Sequence, residues 1–220
     1  MKILVTAGGT SVPIDPVRRI TNFAQGITGK LIAEEALKRN HSVTLLTSNP
    51  REVPLNSSGL TLRYFEFFQE YWQAMEELTR QGNFHAMALS AAVSDFSCTG
   101  IFSGPDGLTK IPPGEKACSS QNDLWIQLAK LPKILEQVRS PWGYNGLLVA
   151  FKLETMKDEP ELQAMAEKSR VKTGADFMVA NLLENARDCA WLGPIKGNYQ
   201  KMQRNQLPGA LLDLLESAKR

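Results

Sequence analysis

The sequence predicts an α/β protein of Rossmann-like form: a mainly parallel sheet with helices on both faces, a long lid loop and a small β-hairpin. Three observations predict the class. Short β-type apolar runs alternate with helix-type segments, the pattern of right-handed β-α-β crossovers. One run, Phe84 to Val93 (FHAMALSAAV), is almost continuously apolar, as strands are in a parallel sheet covered on both faces. The first run ends at Gly8-Gly9-Thr10, a turn that lets backbone approach a phosphate because glycine has no Cβ.

From the N-terminus, Ile3 to Thr6 reads as the first strand. Thr28 to Arg39 reads as a helix, with Leu31, Ile32, Ala36 and Leu37 available for a buried face and Asn40 as its stop. Ser42 to Thr47 is a second strand, Leu60 to Phe67 a third, Gln69 to Arg80 a helix, and Phe84 to Val93 the central strand. Ser94 to Asp123 contains Gly100, Gly104, Gly107 and Gly114 with Pro105, Pro112 and Pro113. It reads as one long loop, of which 97–123 forms a mobile lid. Leu124 to Leu128 is a strand, Pro132 to Arg139 a short helix, Gly146 to Leu153 a strand, and Pro160 to Thr173 a helix. Phe177 to Val179 is a strand, Cys189 to Gln203 the hairpin, and Leu207 to Lys219 the closing helix. Residues 1–220 read as one domain. Ligands in such sheets sit beyond the C-terminal strand ends, which singles out Gly8 to Thr10, Ser94-Asp95 and Phe151-Lys152.

With 43% hydrophobic and 22% charged residues, the composition is that of a folded globular chain rather than a disordered one. Twenty-five basic and 23 acidic residues leave a net charge of +2, which argues against a broad nucleic-acid surface. Cys98, Cys118 and Cys189 are odd in number and dispersed, so free thiols in a reducing compartment are expected rather than zinc or disulfides. No apolar run approaches the roughly 20 residues needed to span a bilayer. Ile3-Leu4-Val5 is too short for a signal peptide, so the expectation is a soluble cytoplasmic protein without a membrane partner.

The common nucleotide signatures fail. GxGxxG is absent, and roughly two dozen residues separate strand from helix, too many for that turn. Gly29-Lys30 resembles the end of a P-loop, but Leu31 stands where Ser or Thr is required and Ala24 where the first glycine is. None of Tyr64, Tyr71, Tyr144 and Tyr199 has a lysine four residues on, which removes the short-chain dehydrogenase pair. There is no GxSxG, and His41 and His85 stand at or just before strand starts, where structural roles are expected.

Several ordered blocks together carry a resemblance. They are ILVTAGGT at 3–10, DPVRRITN at 15–22 with Gly26 and Gly29, AAVSDF at 91–96, VAFKLET at 149–155, AEKSRVKTGAD at 166–176 and VAN at 179–181. The chain resembles the phosphopantothenate–cysteine ligase family of coenzyme A biosynthesis, in a stand-alone form lacking the decarboxylase to which many bacterial members are fused. The resemblance implies a reaction in two halves. A nucleoside triphosphate, CTP in bacterial members or ATP in eukaryotic ones, activates the carboxylate of 4′-phosphopantothenate with Mg²⁺. In CTP enzymes this gives an acyl-cytidylate and pyrophosphate, and the amine of cysteine then attacks. Such chemistry needs positioning and cations rather than a histidine base. The family also implies a homodimer.

By resemblance, Asn22 contacts the activated acyl group, and Arg18 supports its loop or meets phosphate through its fork. Gly26 and Asn181 join them at the substrate. Gly8, Gly9, Thr10, Ala91, Asp95, Phe151, Lys168 and Lys172 would line the nucleotide site, with no protein metal ligands. Lys168 and Lys172, four apart, share a helix face. A lid lysine is expected to close over phosphate. Lys116, followed by Ala117-Cys118-Ser119-Ser120, fits the family pattern best, and Lys110 competes with it. Ala24-Gln25 departs from the serine-rich family pattern and removes two hydroxyls from the substrate side. Two other readings stay open: an NAD(P)-binding oxidoreductase and a non-catalytic nucleotide-binding protein of the same fold.

Overall fold

The computed structural model describes residues 1–54 and 58–218. Its centre is an eight-stranded sheet in the order β13-β12-β11-β10-β6-β1-β4-β5. The parallel strands are β1 (Lys2–Ala7), β4 (Ser42–Thr47), β5 (Leu60–Tyr64), β6 (Ala86–Leu89), β10 (Leu147–Glu154) and β11 (Phe177–Leu182). β12 (Cys189–Ile195) and β13 (Asn198–Gln203) extend it as the expected hairpin, antiparallel to β11.

Residues alternate between the two faces of each central strand. Leu4, Met87, Leu148 and Met178 point into one core, roofed by α2 (Phe68–Gln81), α3 (Leu135–Arg139) and α4 (Glu159–Thr173). Ile3, Val5, Val43, Ala88 and Val149 point into the other, under α1 (Ile27–Lys38) and α5 (Leu207–Ser217). Both cores are fully buried: Leu4 in the first and Val5 in the second are 0% exposed, each burial worth about 1.5–3 kcal/mol. α4 starts where the Asp158 carboxylate accepts from Glu161 N at 2.8 Å and stops at Gly174, whose φ of 65° suits the left-handed C-terminal position. The expected end of the closing helix at Lys219 lies outside the described residues.

Two regions differ from the sequence expectation. Ser11–Asp15 (β2) and Arg18–Thr21 (β3) form a hairpin where only a connection was expected. Phe96–Ser103 (β7), Thr109–Ile111 (β8) and Leu124–Lys130 (β9) form a separate antiparallel sheet in the order β8-β7-β9. The expected lid of 97–123 is therefore a turn over 104–108 and a longer loop only over 112–123. The glycines that suggested a loop serve the strands: Gly100 stands at a register shift against β9, and Gly104 and Gly107 take φ of 93° and 69° between β7 and β8.

The order of strands fixes where a ligand fits. After β1 the chain builds β4 and β5 on one side, then returns to place β6 on the other. A crevice opens at that reversal, beyond the C-terminal ends of β1 and β6. His41 and His85 stand at the opposite end: the Lys2 amide donates to His85 Nδ1 at 3.0 Å, and no imidazole faces the crevice among the described residues.

Candidate active site

The two strand ends are stitched by backbone. Ala92 N donates to Gly8 O at 2.8 Å, and Thr10 N donates to Ala92 O at 3.1 Å. Ala92 O also accepts from Asn22 Nδ2 at 2.9 Å. Asn22 follows β3, so the hairpin delivers it to the switch point. Its Oδ1 and second amide proton carry no hydrogen bond among the described residues, which leaves an acceptor and a donor for a ligand.

The glycine turn has a packing reason as well. A Cβ on Gly8 would fall 2.1 Å from Ser48 Oγ, and one on Gly9 would fall 3.2 Å from the Asn22 Cβ. Gly26, the left-handed residue before α1, would bring a Cβ to 3.0 Å from Gly8 N. These glycines let three backbone segments close around one point. Thr10 differs from expectation. It is 0% exposed, and its hydroxyl donates to Ser94 Oγ at 3.0 Å and accepts from Ser94 N at 2.8 Å. It joins the loops after β1 and β6, with its hydroxyl and carbonyl both bonded to Ser94.

Asn22 lines one cavity, and Ala91 and Val93, on either side of its partner Ala92, line a second. The first, about 1050 Å³, is lined by Gly9, Asn22, Phe23, Gln25, Ser48 and Tyr64 among others. The second, about 500 Å³, brings together Ala91, Asp95, Phe151, Lys168 and Lys172, five residues the sequence assigned to one nucleotide site. Its wall also holds Lys133, Lys152 and Glu136. Lys133 pairs with Asp95, and Lys172 with Glu136 at 2.6 Å. The Lys172 ammonium beside Glu136 holds that carboxyl below its usual range. Lys168, one turn before Lys172, has no ion-pair partner among the described residues. Lys152 pairs with Glu154 at 2.8 Å, so of the four wall lysines Lys168 alone lacks an ion pair among the described residues and is the cation this wall offers a phosphorylated ligand.

Other expected residues stand apart. Asn181 is 6% exposed, lines neither cavity, and its Oδ1 accepts from Arg204 Nη1 at 2.6 Å. Arg204 also donates to Thr28 Oγ1, so it joins β11 to the first turn of α1. In this arrangement Asn181 is a structural partner rather than a cavity residue. Lys110 lies exposed on β8 opposite Phe102, and Lys116 lies exposed in the 112–123 loop; neither lines either of these two cavities. Arg18 pairs with Asp15 and donates to Ala117 O at 3.1 Å, so it ties the hairpin to the 112–123 loop rather than to the loop that carries Asn22. Lys133 and Asp15 were missed, and Ser94, singled out at a strand end, proves to be the partner of Thr10. Asp15-Pro16 is a turn signal, whereas Lys133 and Ser94 matter only through partners distant in sequence.

Comparison with known proteins gives this geometry a context. The family of the DNA/pantothenate metabolism flavoprotein C-terminal domain matches residues 1–191. The coenzyme A biosynthesis bifunctional protein CoaBC of Thermococcus kodakarensis is 34% identical over 183 residues, 83% of this chain but 41% of that protein. The chain thus spans about two-fifths of that relative's length. Phosphopantothenate–cysteine ligase 2 of Oryza sativa is 30% identical across 97% of this chain and 78% of its own. The crystal structure of the DNA/pantothenate metabolism flavoprotein from Streptococcus pneumoniae superposes with a TM-score of 0.88 at 30% identity, covering 99% of both chains. Among the described residues no helix is long and apolar enough to cross a membrane. The chain belongs to the family of the DNA/pantothenate metabolism flavoprotein C-terminal domain.

Proposed function

We propose that this domain is a phosphopantothenate–cysteine ligase that activates its acyl substrate with CTP or ATP. The observation that carries the reading is Asn22, which lines one cavity at the switch point and is held by Ala92 O, next to Ala91 and Val93 of a second cavity walled by lysines. The rice relative's ligase name points the same way. In the first half-reaction a carboxylate oxygen of 4′-phosphopantothenate attacks the α-phosphorus of the nucleotide. The bond to the β-phosphate bridge breaks and pyrophosphate leaves, giving an acyl-cytidylate when CTP is used. In the second, the cysteine amine attacks the acyl carbon, loses a proton and expels the nucleoside monophosphate.

The residues suit these steps. The free amide valences of Asn22 orient the carboxylate and stabilise charge on its oxygen. Lys133, Lys168 and Lys172 offset phosphate charge. Lys116 fits the lid lysine better than Lys110, because Lys110 is fixed within a strand whereas Lys116 rides on a loop. Among the described residues no three carboxylate, cysteine or histidine groups converge as a metal cage. Asp95 and Glu136 are each paired with lysine, so Mg²⁺ fits this site as a companion of the triphosphate, supplying charge neutralisation there. A homodimer belongs to the same reading.

The test is pyrophosphate release. It should require 4′-phosphopantothenate together with CTP or ATP, and a phosphopantothenoylcysteine product should appear only when cysteine is added. No release with either nucleotide overturns the reading.

A further inference from the structure

The loop 112–123 is held to the β2–β3 hairpin through Ala117. That residue is 1% exposed, whereas Lys116 and Cys118 on either side are exposed. Both polar groups of its backbone are grasped by the hairpin. Ala117 N donates to Asp15 Oδ2 at 3.2 Å, and Ala117 O accepts from Arg18 Nη1 at 3.1 Å. Asp15 and Arg18 are themselves ion-paired, and the Asp15 side chain is 0% exposed.

The two oxygens of Asp15 have separate tasks. Oδ1 accepts from Val17 N at 2.9 Å and Arg18 N at 2.8 Å, which closes the hairpin turn. Oδ2 faces Arg18 and Ala117, and so reaches across about a hundred residues of sequence to the loop. Burial pushes the Asp15 carboxyl up, but the amides of Val17, Ala117 and Arg18 with the Arg18 guanidinium outweigh it and hold the group below its usual range. The pair therefore stays charged throughout neutral and mildly acidic pH.

We propose that Asp15 and Arg18 are positioning residues: by clamping Ala117 they set the adjacent Lys116 relative to Asn22, which the same hairpin carries. This rests on the ligase reading, with Lys116 as the lid cation. One rigid hairpin then fixes both the group that orients the acyl carboxylate and the loop that closes over phosphate. Holding a catalytic group in register matters because small displacements are costly in the transition state.

Asp15→Asn separates the two tasks. The retained Oδ1 still closes the turn, whereas the new Nδ2 sets donors against the Ala117 amide and the guanidinium. Circular dichroism and Tm should stay close to those of the native chain. Exchange of the Ala117 amide should quicken by about tenfold or more. For pyrophosphate release, kcat should fall by about tenfold with KM for 4′-phosphopantothenate nearly unchanged. Lys116→Ala should lower kcat in the native background and add little in the Asp15→Asn background, since the two losses share one cause. Unchanged Ala117 exchange, or losses that simply multiply, overturns the proposal. A native chain that releases no pyrophosphate sinks the ligase reading alone, and the exchange measurement then decides the clamp.

Discussion

Asn22 shows how a single side chain is made ready for a ligand. Its Nδ2 proton is committed to Ala92 O, and that one bond orients the rest of the amide. Asn22→Asp removes the donor and sets a carboxylate oxygen against the carbonyl. Because Asn22 is exposed, the stability cost should be small, about 1 kcal/mol. Turnover should fall by roughly a hundredfold, as when one oxyanion donor is lost. Steady-state pyrophosphate release with a melting curve checks both halves, and a fully active variant removes Asn22 from the chemistry. Cys118 offers a second test at this scale. Its thiol is held below the usual value first by the Ser120 hydroxyl, then by the Ser120 amide and the Lys116 ammonium. A lowered pKa means more thiolate at neutral pH, and Cys118 is exposed while Cys98 is half-buried and Cys189 buried. Iodoacetamide at pH 7.5 should label Cys118 first, with mass spectrometry reading the order; Cys98 or Cys189 ahead of it contradicts this. Placement was legible where type and position carried it: Asn22 lines one cavity and Lys168 and Lys172 the other. The burial of Thr10 was not legible, because its partner Ser94 is remote in sequence and burial by a remote partner leaves no local mark.

Elements were legible where periodicity was long and unbroken. β1, β4, β6, β10, α1, α2 and α4 follow from apolar runs and helical spacing. The β2–β3 hairpin was missed because Pro13, Asp15, Arg18 and Arg19 break any alternation, although Asp15-Pro16 marks a turn between two short strands. β7 and β8 were hidden by glycines that serve a bulge and a turn within an antiparallel sheet. One glycine inside a helix gives a prediction in which two effects oppose. Gly29→Ala should gain about 1 kcal/mol from helix propensity. The added Cβ, however, would sit 2.6 Å from the Ala7 Cβ and 2.9 Å from Thr6 O, where β1 backbone cannot yield cheaply. Overpacking of this kind costs about 1–3 kcal/mol, so the clash should win. A lower Tm and weaker nucleotide binding are expected, because α1 would be lifted off the end of β1. Thermal melts with and without CTP and ATP measure both, and a stabilised variant contradicts the argument.

At the scale of the whole molecule, alternating strands and helices made the parallel sheet predictable, whereas the strand order that puts the switch point between β1 and β6 is a property of three-dimensional packing. The small sheet was invisible for the same reason: its strands are paired with one another rather than with the main sheet. That sheet bears on assembly. β9 is the longer of its two edge strands, seven residues against three in β8, and among the described residues its outer side pairs with no other strand. Leu124, Trp125 and Leu128 on β9 and Phe96 on β7 are 40–52% exposed. An exposed apolar edge is a template for pairing with another chain, and monomeric proteins usually blunt such edges with charge. The homodimer of the proposed function accounts for it if β9 meets its copy. Light scattering at micromolar concentration should then give twice the chain mass. Leu124→Lys combined with Leu128→Lys places two charges on positions already exposed in the single chain, so the fold should hold. Each buried leucine lost from an interface is worth about 1.5–3 kcal/mol, so dimer dissociation should rise at least tenfold, which corresponds to about 1.4 kcal/mol. A native chain that scatters as a monomer, or a double variant that dimerises as tightly as the native chain, would exclude β9 as the contact.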